Sequence, residues 1–154
     1  MSGVMGGVTG GVTGEERFGE FVLVRRHGDG GHVAELALDR PKAMNAVSTD
    51  MARSIAGACA ALGEDRDVRV VVLTSTHERA FCVGADLKER NSFSDEQLRA
   101  QRPVAQCAYC GVLRLPQPAV AAVDDYALGG GLGLALSCDL VVPGYAAVLG
   151  WTAS

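Results

Sequence analysis

Short apolar runs alternate along this chain with longer segments of helical periodicity. The runs Phe21–Val24 and Val33–Leu38 flank a glycine-rich turn at 28–31, a pattern typical of a β-hairpin. Two further runs, at 69–73 and 119–123, are almost wholly apolar, as in strands that a sheet buries on both faces. The pattern therefore predicts strands at these four places.

Helical periodicity occurs in three segments between and after these strands. The first follows an N-cap serine and spans 48–63, and the second opens with Ser-Asp-Glu-Gln and spans 94–113. The third follows a cluster of glycines and runs to about residue 137, before a further strand that starts at 140. The order ββα, βα, βα, β predicts an α/β fold with right-handed crossovers.

Composition and charge limit the classes of function. The chain has 154 residues, of which 48% are hydrophobic and 21% charged, as in one globular domain. The net charge is −4 and the basic residues are scattered, so we expect no nucleic-acid binding. The apolar stretch 126–150 is interrupted by glycines, Asp139 and Pro143, which excludes a membrane span.

The cysteines argue against both disulfides and a metal site. Their number is odd and no secretory signal precedes them, so we expect a cytoplasmic protein with reduced thiols. The motif Cys107-Ala-Tyr-Cys110 lacks the second ligand pair that a zinc site requires. We interpret its cysteines as packing residues and predict no metal.

The N-terminal segment has low complexity. It contains the tandem repeat Gly-Gly-Val-Thr at 6–13. Glycine-rich repeats of this kind form flexible segments. We therefore assign residues 1–16 to a flexible segment outside the fold and residues 17–154 to the domain.

Two glycine-containing segments, Ala80–Glu89 and Tyr126–Asp139, carry the candidate chemistry. Each reads as an apolar strand that leads into a glycine turn and then into the start of a helix. Such turns present backbone N–H groups that the helix does not use. Two turns brought together can hold one oxygen between two N–H donors, which predicts an oxyanion hole and thioester chemistry. The glycine spacing fits neither a dinucleotide-binding motif nor a P-loop.

Three motifs together resemble the crotonase superfamily of enoyl-CoA hydratases and isomerases: Leu38–Ala46, Ala80–Lys88 and Pro118–Asp139. The resemblance covers about 21–150. It implies a spiral of ββα turns, completed in the family by a helical C-terminal region that builds trimers and hexamers. It also implies an acyl-CoA thioester as the partner, polarised at its carbonyl, with coenzyme A carried by the substrate and no other cofactor.

The resemblance implies roles for particular positions. The oxyanion donors would be the backbone N–H groups of Ala85 and Gly130, and neighbouring glycines would let the thioester approach the backbone closely. Lys42 and Lys88 would lie near the phosphates of coenzyme A, although a solvated turn lysine is an equal alternative for Lys42. The complete implied substrate-binding set is Lys42, Ala43, Val83, Asp86, Leu87, Lys88 and Gly129.

The chain departs from the family pattern at both positions where hydratases carry a glutamate. Gly133 and Ala153 stand there, and neither can transfer a proton. Among the nearby carboxylates, Asp86 is the one that we nominate to replace them, although a turn-stabilising role fits it better. The chain also stops where family members continue, so we expect an incomplete spiral without the last turns and the trimerisation region, and with an exposed sheet edge.

Three functional hypotheses follow from these departures. The first is an acyl-CoA-binding protein, nominally an enoyl-CoA hydratase or isomerase, with an oxyanion hole but impaired hydration. The second is an isomerase or thioesterase that uses another carboxylate. The third is a non-catalytic truncated product, or a subunit that forms homo-oligomers or associates with an intact paralogue.

Overall fold

A computed structural model describes residues 11–151, and its strands form two sheets. The six-stranded sheet has the order β1-β2-β3-β4-β6-β8: Val12–Phe18, Val22–His27, Val33–Leu38, Val70–Ser75, Ala119–Val123 and Leu140–Pro143. The pairs β1-β2 and β2-β3 are antiparallel, and the remaining pairs are parallel. The predicted hairpin and the two predicted apolar strands are therefore confirmed.

A second, three-stranded sheet is wholly parallel. It contains β5 (Ala80–Cys82), β7 (Tyr126–Leu128) and β9 (Val148–Gly150), in that order. Each of these short strands follows a parallel strand of the large sheet, as β5 follows β4 and β7 follows β6. Repetition of a long strand, a short strand and a helix produces the spiral of ββα turns that the resemblance implies.

Within residues 11–151, four α-helices complete the fold: α1 (Thr49–Glu64), α2 (Leu87–Asn91), α3 (Asp95–Leu113) and α4 (Gly130–Leu136). The predicted N-caps are confirmed, because Ser48 accepts a hydrogen bond from Met51 N and Ser94 forms a capping box with Gln97. Helix α1 passes through Gly63 and ends one residue later. Its C-cap, Asp65, has an extended conformation, so this end requires no left-handed glycine.

The hydrophobic core lies between the large sheet and the helices α1 and α3. The apolar face of α1 contributes Met51, Ile55 and Leu62, which are almost wholly buried. Leu36 and Leu73 from the sheet belong to the same cluster, and α1 packs against α3. Burial of a side chain of this size contributes about 1.5–3 kcal/mol to stability.

Strand β1 corrects the expected boundary of the glycine-rich segment. Residues 12–16 lie within this strand, whereas the sequence analysis assigned them to a segment outside the fold. The strand pairs with β2, and the carboxylate of Glu15 accepts a hydrogen bond from Arg25 Nε at 2.8 Å. Backbone pairing and the cross-strand ion pair outweigh the low strand propensity of the repeat. The first ten residues of the segment lie outside the described residues.

Strands β8 and β9 and the residue that follows them expose apolar side chains. Strand β8 is an edge of the large sheet and β9 an edge of the small one. The exposed apolar residues there are Leu140, Val142, Val148, Leu149 and Trp151. Among the described helices, none combines the length and hydropathy needed to cross a bilayer.

Candidate functional site

The first glycine turn connects β5 to α2. Gly84 has φ +101°, a conformation that L-residues with a side chain rarely adopt. Val47 pairs with this turn on one side, since Gly84 O accepts from Val47 N at 2.7 Å and Val47 O accepts from Asp86 N at 3.0 Å. The N–H of Ala85, between these two bonds, has no protein acceptor among the described residues.

The second glycine turn connects β7 to α4. Gly129 has φ +52° and ψ −119°, and its N–H donates to Gly150 O on the neighbouring strand at 2.9 Å. Gly130 is the first residue of α4, so its N–H has no acceptor within the helix. The described residues provide no other acceptor for it. The turn therefore leaves one free donor, as the first turn does.

The two turns are in direct contact. They follow β5 and β7, which are parallel neighbours, so the carboxyl ends of these two strands lie side by side. A Cβ atom on Gly84 would lie 3.2 Å from Gly130 N, and one on Gly130 would lie 3.8 Å from Ala85 N. The structure thus brings together the two residues, Ala85 and Gly130, that sequence analysis proposed as donors.

Two cavities open beside these turns and share one residue, Ala85. The larger has a volume of about 810 Å³ and is lined by six of the seven predicted substrate-binding residues: Lys42, Ala43, Val83, Asp86, Leu87 and Lys88. The smaller, of about 480 Å³, is lined by Gly130 and by residues of α3. The seventh predicted residue, Gly129, lies in the second turn. Ala85 is therefore the point at which the two cavities adjoin.

Two residues without a predicted role, Asn45 and Arg40, shape the larger cavity. Asn45 is fully buried, with φ +56°, and its side-chain amide donates to Ser75 Oγ and to the Phe81 carbonyl. Its side-chain oxygen accepts from Arg40 N at 2.7 Å. These bonds fix the loop that carries Lys42 against β5. The sequence indicates the roles of Asn45 and Arg40 only indirectly, through an asparagine shortly after an Arg-Pro turn.

Asp86 stabilises the first turn. Its carboxylate caps α2 by accepting from Glu89 N at 3.1 Å, and it accepts from Arg40 Nη1 at 2.7 Å. Burial acts to raise the pKa of this carboxyl, but the hydrogen bonds from Arg40 and Glu89 outweigh burial and hold the pKa below its ordinary value. Asp86 lines the larger cavity and not the smaller one. These contacts agree with the turn-stabilising interpretation.

The lowered pKa of Asp86 predicts a pH-dependent contribution to stability. The ionised carboxylate stabilises the fold above the unfolded-state pKa of about 3.9, and this contribution is lost as the pH falls through the lower folded value. We expect Asp86→Asn to lower the free energy of unfolding by about 1–2 kcal/mol at pH 7 and by less at pH 3. Urea unfolding at pH 7 and at pH 3 measures this change in the free energy of unfolding. Asp29→Asn, in the exposed hairpin turn, is the control, and equal effects of Asp86→Asn at both pH values would contradict the prediction.

Gly133, the first of the two positions without the expected glutamate, lies near two aromatic rings. A Cβ on Gly133 would lie 3.6 Å from Tyr109 Cε1 and 3.9 Å from Trp151 Cη2. A side chain at this position would therefore enter the space between the two rings. Ala153, the second such position, lies outside the described residues.

Tyr109 is a residue of the smaller cavity that sequence analysis missed. Its hydroxyl lies 2.6 Å from the position that a Cβ on Gly130 would occupy. Burial raises the pKa of this phenol, so it remains protonated at neutral pH and can donate a hydrogen bond. Only the packing of α3 on α4 places Tyr109 here. In the sequence, Tyr109 is distinguished only by its position inside the Cys-x-x-Cys motif.

Gly131 and the cysteines serve packing rather than ligand binding, with one exception. A Cβ on Gly131 would overlap the Cys82 carbonyl, so this glycine allows α4 to lie against β5 and does not face open space. Burial raises the pKa of Cys82 to about 11, which makes its thiol a poor nucleophile.

Cys107 is exposed, so the packing interpretation is wrong for it. Among the described residues, no group of three or more His, Cys, Asp or Glu could hold a metal ion.

Comparison with known proteins agrees with this geometry. The model of the enoyl-CoA hydratase/isomerase family matches residues 28–153. The YngF protein of Bacillus subtilis is 44% identical over 119 residues, which are 77% of this chain and 46% of YngF. An enoyl-CoA hydratase/carnithine racemase structure from Magnetospirillum magneticum matches with a TM-score of 0.82 and 32% identity, over 89% of this chain and 50% of that one.

A second solved structure gives the same result. The enoyl-CoA hydratase from Bacillus anthracis matches with a TM-score of 0.81 and 35% identity, over 86% of this chain and 51% of that one. The chain thus spans about half the length of the curated relatives and solved structures that it matches.

Proposed function

Because this chain belongs to the enoyl-CoA hydratase/isomerase family, we propose that it binds an acyl-CoA thioester and polarises the thioester carbonyl. The observation that carries this proposal is the contact between the two glycine turns. It places the free N–H groups of Ala85 and Gly130 next to each other, at the residue where two cavities adjoin. Paired backbone donors in fixed positions stabilise a developing oxyanion without reorganisation.

The two cavities suggest how the ligand would lie. Coenzyme A would occupy the larger cavity, with the acyl group in the smaller one and the thioester oxygen between the two N–H groups. The sequence contains two lysines, Lys42 and Lys88, and both line the larger cavity with exposed side chains. A lysine ammonium is a compact charge suited to phosphate. This distribution supports their assignment to the phosphates of coenzyme A.

The proposal extends to impaired hydration. The described lining of the smaller cavity contains no carboxylate, and its ionisable groups are Tyr109 and three arginines. A positioned general acid or base typically contributes 10²–10⁴-fold to the rate. Asp86 does not replace the missing glutamates, since it pairs with Arg40 and lines only the larger cavity. We therefore propose that the chain binds and polarises thioesters but hydrates enoyl-CoA poorly.

Calorimetric titration with acetoacetyl-CoA tests this function, because its enolate carries the charge that the two N–H groups would stabilise. We expect micromolar binding. Replacement of both lysines by alanine should weaken binding about 5- to 10-fold at low salt, as expected for two exposed charge pairs, and less at high salt. Arg79→Ala, in an exposed loop, is the matched control. Absence of heat from a sample shown to be folded by circular dichroism would overturn the proposal.

That negative result would favour a second candidate, a non-catalytic subunit that associates with a second copy or with an intact relative. The exposed apolar residues of β8 and β9, including Leu140 and Val148, support this candidate. Exposed apolar patches at a sheet edge are typical of association surfaces.

A further inference from the structure

Three arginines line the smaller cavity, and no acidic residue among the described residues lines it with them. On the basis of the function proposed above, we propose that the acyl group carries a carboxylate, bound by Arg90, Arg99 and Arg102. The ligand would then be the coenzyme A thioester of a dicarboxylic acid. An unsubstituted fatty acyl chain would offer these arginines nothing to bind.

The composition of the cavity indicates an anionic ligand. Its other lining residues are apolar or neutral: Val47, Ala85, Leu98, Gln101, Ala105, Gln106, Tyr109 and Gly130. A pocket for a plain hydrocarbon chain would be lined mainly by apolar side chains. The cavity instead combines three positive charges with two amides. Such a lining suits a short methylene chain that ends in an anion.

The arginines are also free to bind a ligand. None of them forms an ion pair within the described residues, whereas Arg25, for example, pairs with Glu15 and Arg40 with Asp86. Asp95 and Glu96 lie one turn before Arg99 on α3 but form no ion pair with it. The side chains of all three arginines are exposed, so a carboxylate from solvent can reach them, and a guanidinium binds a carboxylate through charge-assisted hydrogen bonds.

Helix geometry places Arg99 and Arg102 away from the thioester. Arg99 and Arg102 are three residues apart, so they are neighbours on the surface of α3. Tyr109, beside the two N–H donors, lies seven residues after Arg102, which is about 10 Å along the helix. Arginine side chains extend part of this distance. The carboxylate would therefore be separated from the thioester by several methylene groups, as in an adipoyl chain.

The phosphates of coenzyme A are a different source of negative charge. The two lysines line the larger cavity, so the phosphates already have cations there to bind. An acyl carboxylate therefore fits the arginines better, and the experiment must separate the two sources of charge.

The test compares adipoyl-CoA with hexanoyl-CoA, which have equal chain length and differ in one terminal carboxylate. Calorimetry at low salt should give a Kd at least about 10-fold lower for adipoyl-CoA, as expected for hydrogen bonds between charged groups. The triple substitution of Arg90, Arg99 and Arg102 by glutamine should bring the two Kd values within about twofold. Arg114→Gln, at the far end of α3, should keep the preference, and the same triple change to lysine should keep part of it.

Other outcomes would contradict the anionic acyl group, thioester binding itself, or the assignment of the arginines to the acyl carboxylate. Equal Kd values for the two thioesters in the unmodified chain would overturn the anionic acyl group but leave thioester binding intact. Binding of neither thioester would overturn the proposed function together with this inference. Equal weakening of adipoyl-CoA, hexanoyl-CoA and free coenzyme A in the glutamine variant would show that the arginines bind phosphate.

Discussion

Gly131→Ala lowers the free energy of unfolding by about 3 kcal/mol or more, the largest loss of stability that we expect from adding one methyl group. The reason is the close packing of α4 on β5. A Cβ at this position would overlap the Cys82 carbonyl oxygen and lie 2.6 Å from its carbonyl carbon. These are backbone atoms of a paired strand, so they cannot rotate away as the end of a side chain would.

Gly133→Ala is the matched control for this effect, because the two glycines lie on the same short helix. A Cβ on Gly133 meets only ordinary contacts, at 3.6 Å and 3.9 Å. Alanine is a better helix former than glycine, by up to about 1 kcal/mol. We therefore expect Gly133→Ala to leave stability unchanged or to raise it slightly. Urea unfolding measures both variants. Equal stability of Gly131→Ala and Gly133→Ala would contradict the packing of α4 on β5 described above.

Gly130→Ala has the largest expected effect on ligand binding, a loss of about 10²-fold in affinity for acetoacetyl-CoA, as expected if the enolate oxygen loses its hydrogen bonds to the two N–H groups. Its Cβ would lie 2.6 Å from the Tyr109 hydroxyl and 3.8 Å from Ala85 N, in the space proposed for the thioester oxygen. The close contact is with the end of a side chain, which can shift. We therefore expect a change in unfolding free energy below about 1 kcal/mol.

Calorimetry on Gly130→Ala and Tyr109→Phe, singly and combined, separates blocking of the oxygen site from displacement of Tyr109. If the methyl group itself blocks the site, the double variant binds as weakly as Gly130→Ala. Recovery of binding in the double variant would show that the displaced hydroxyl was responsible. Wild-type affinity of Gly130→Ala would overturn the proposed position of the thioester oxygen. Gly133→Ala serves again as the control, since its methyl group does not approach Ala85 N.

The order of elements was predictable because it depends on local pattern. The hairpin and the N-caps Ser48 and Ser94 are all visible in short windows of sequence. Strand β1 was not predicted because its residues Val12–Phe18 have weak strand propensity and depend on pairing with β2. The small sheet was also not predicted as a sheet, since its three-residue strands are separated by long stretches of chain.

The candidate site was predictable only in part, because some of its residues are identified by local pattern and others by contacts between distant segments. The motifs identify Ala85, Gly130 and the residues of the larger cavity, because glycine turns and their flanking residues are local features. Asn45 and Tyr109 were missed, since their positions depend on contacts with residues distant in sequence. The arginines likewise appeared as scattered charges until the packing of the helices placed them around one cavity.

The sequence by itself therefore determined the succession of strands and helices, the two glycine turns and the absence of a carboxylate at Gly133. Each of these follows from residue type and short-range spacing. Only the tertiary structure decided that the two turns touch, that Ala85 lies where two cavities adjoin, and that Arg90, Arg99 and Arg102 surround one of them. Parallel pairing of β5 and β7 brings the two turns together although they are more than forty positions apart, and the packing of the helices places the arginines around the smaller cavity.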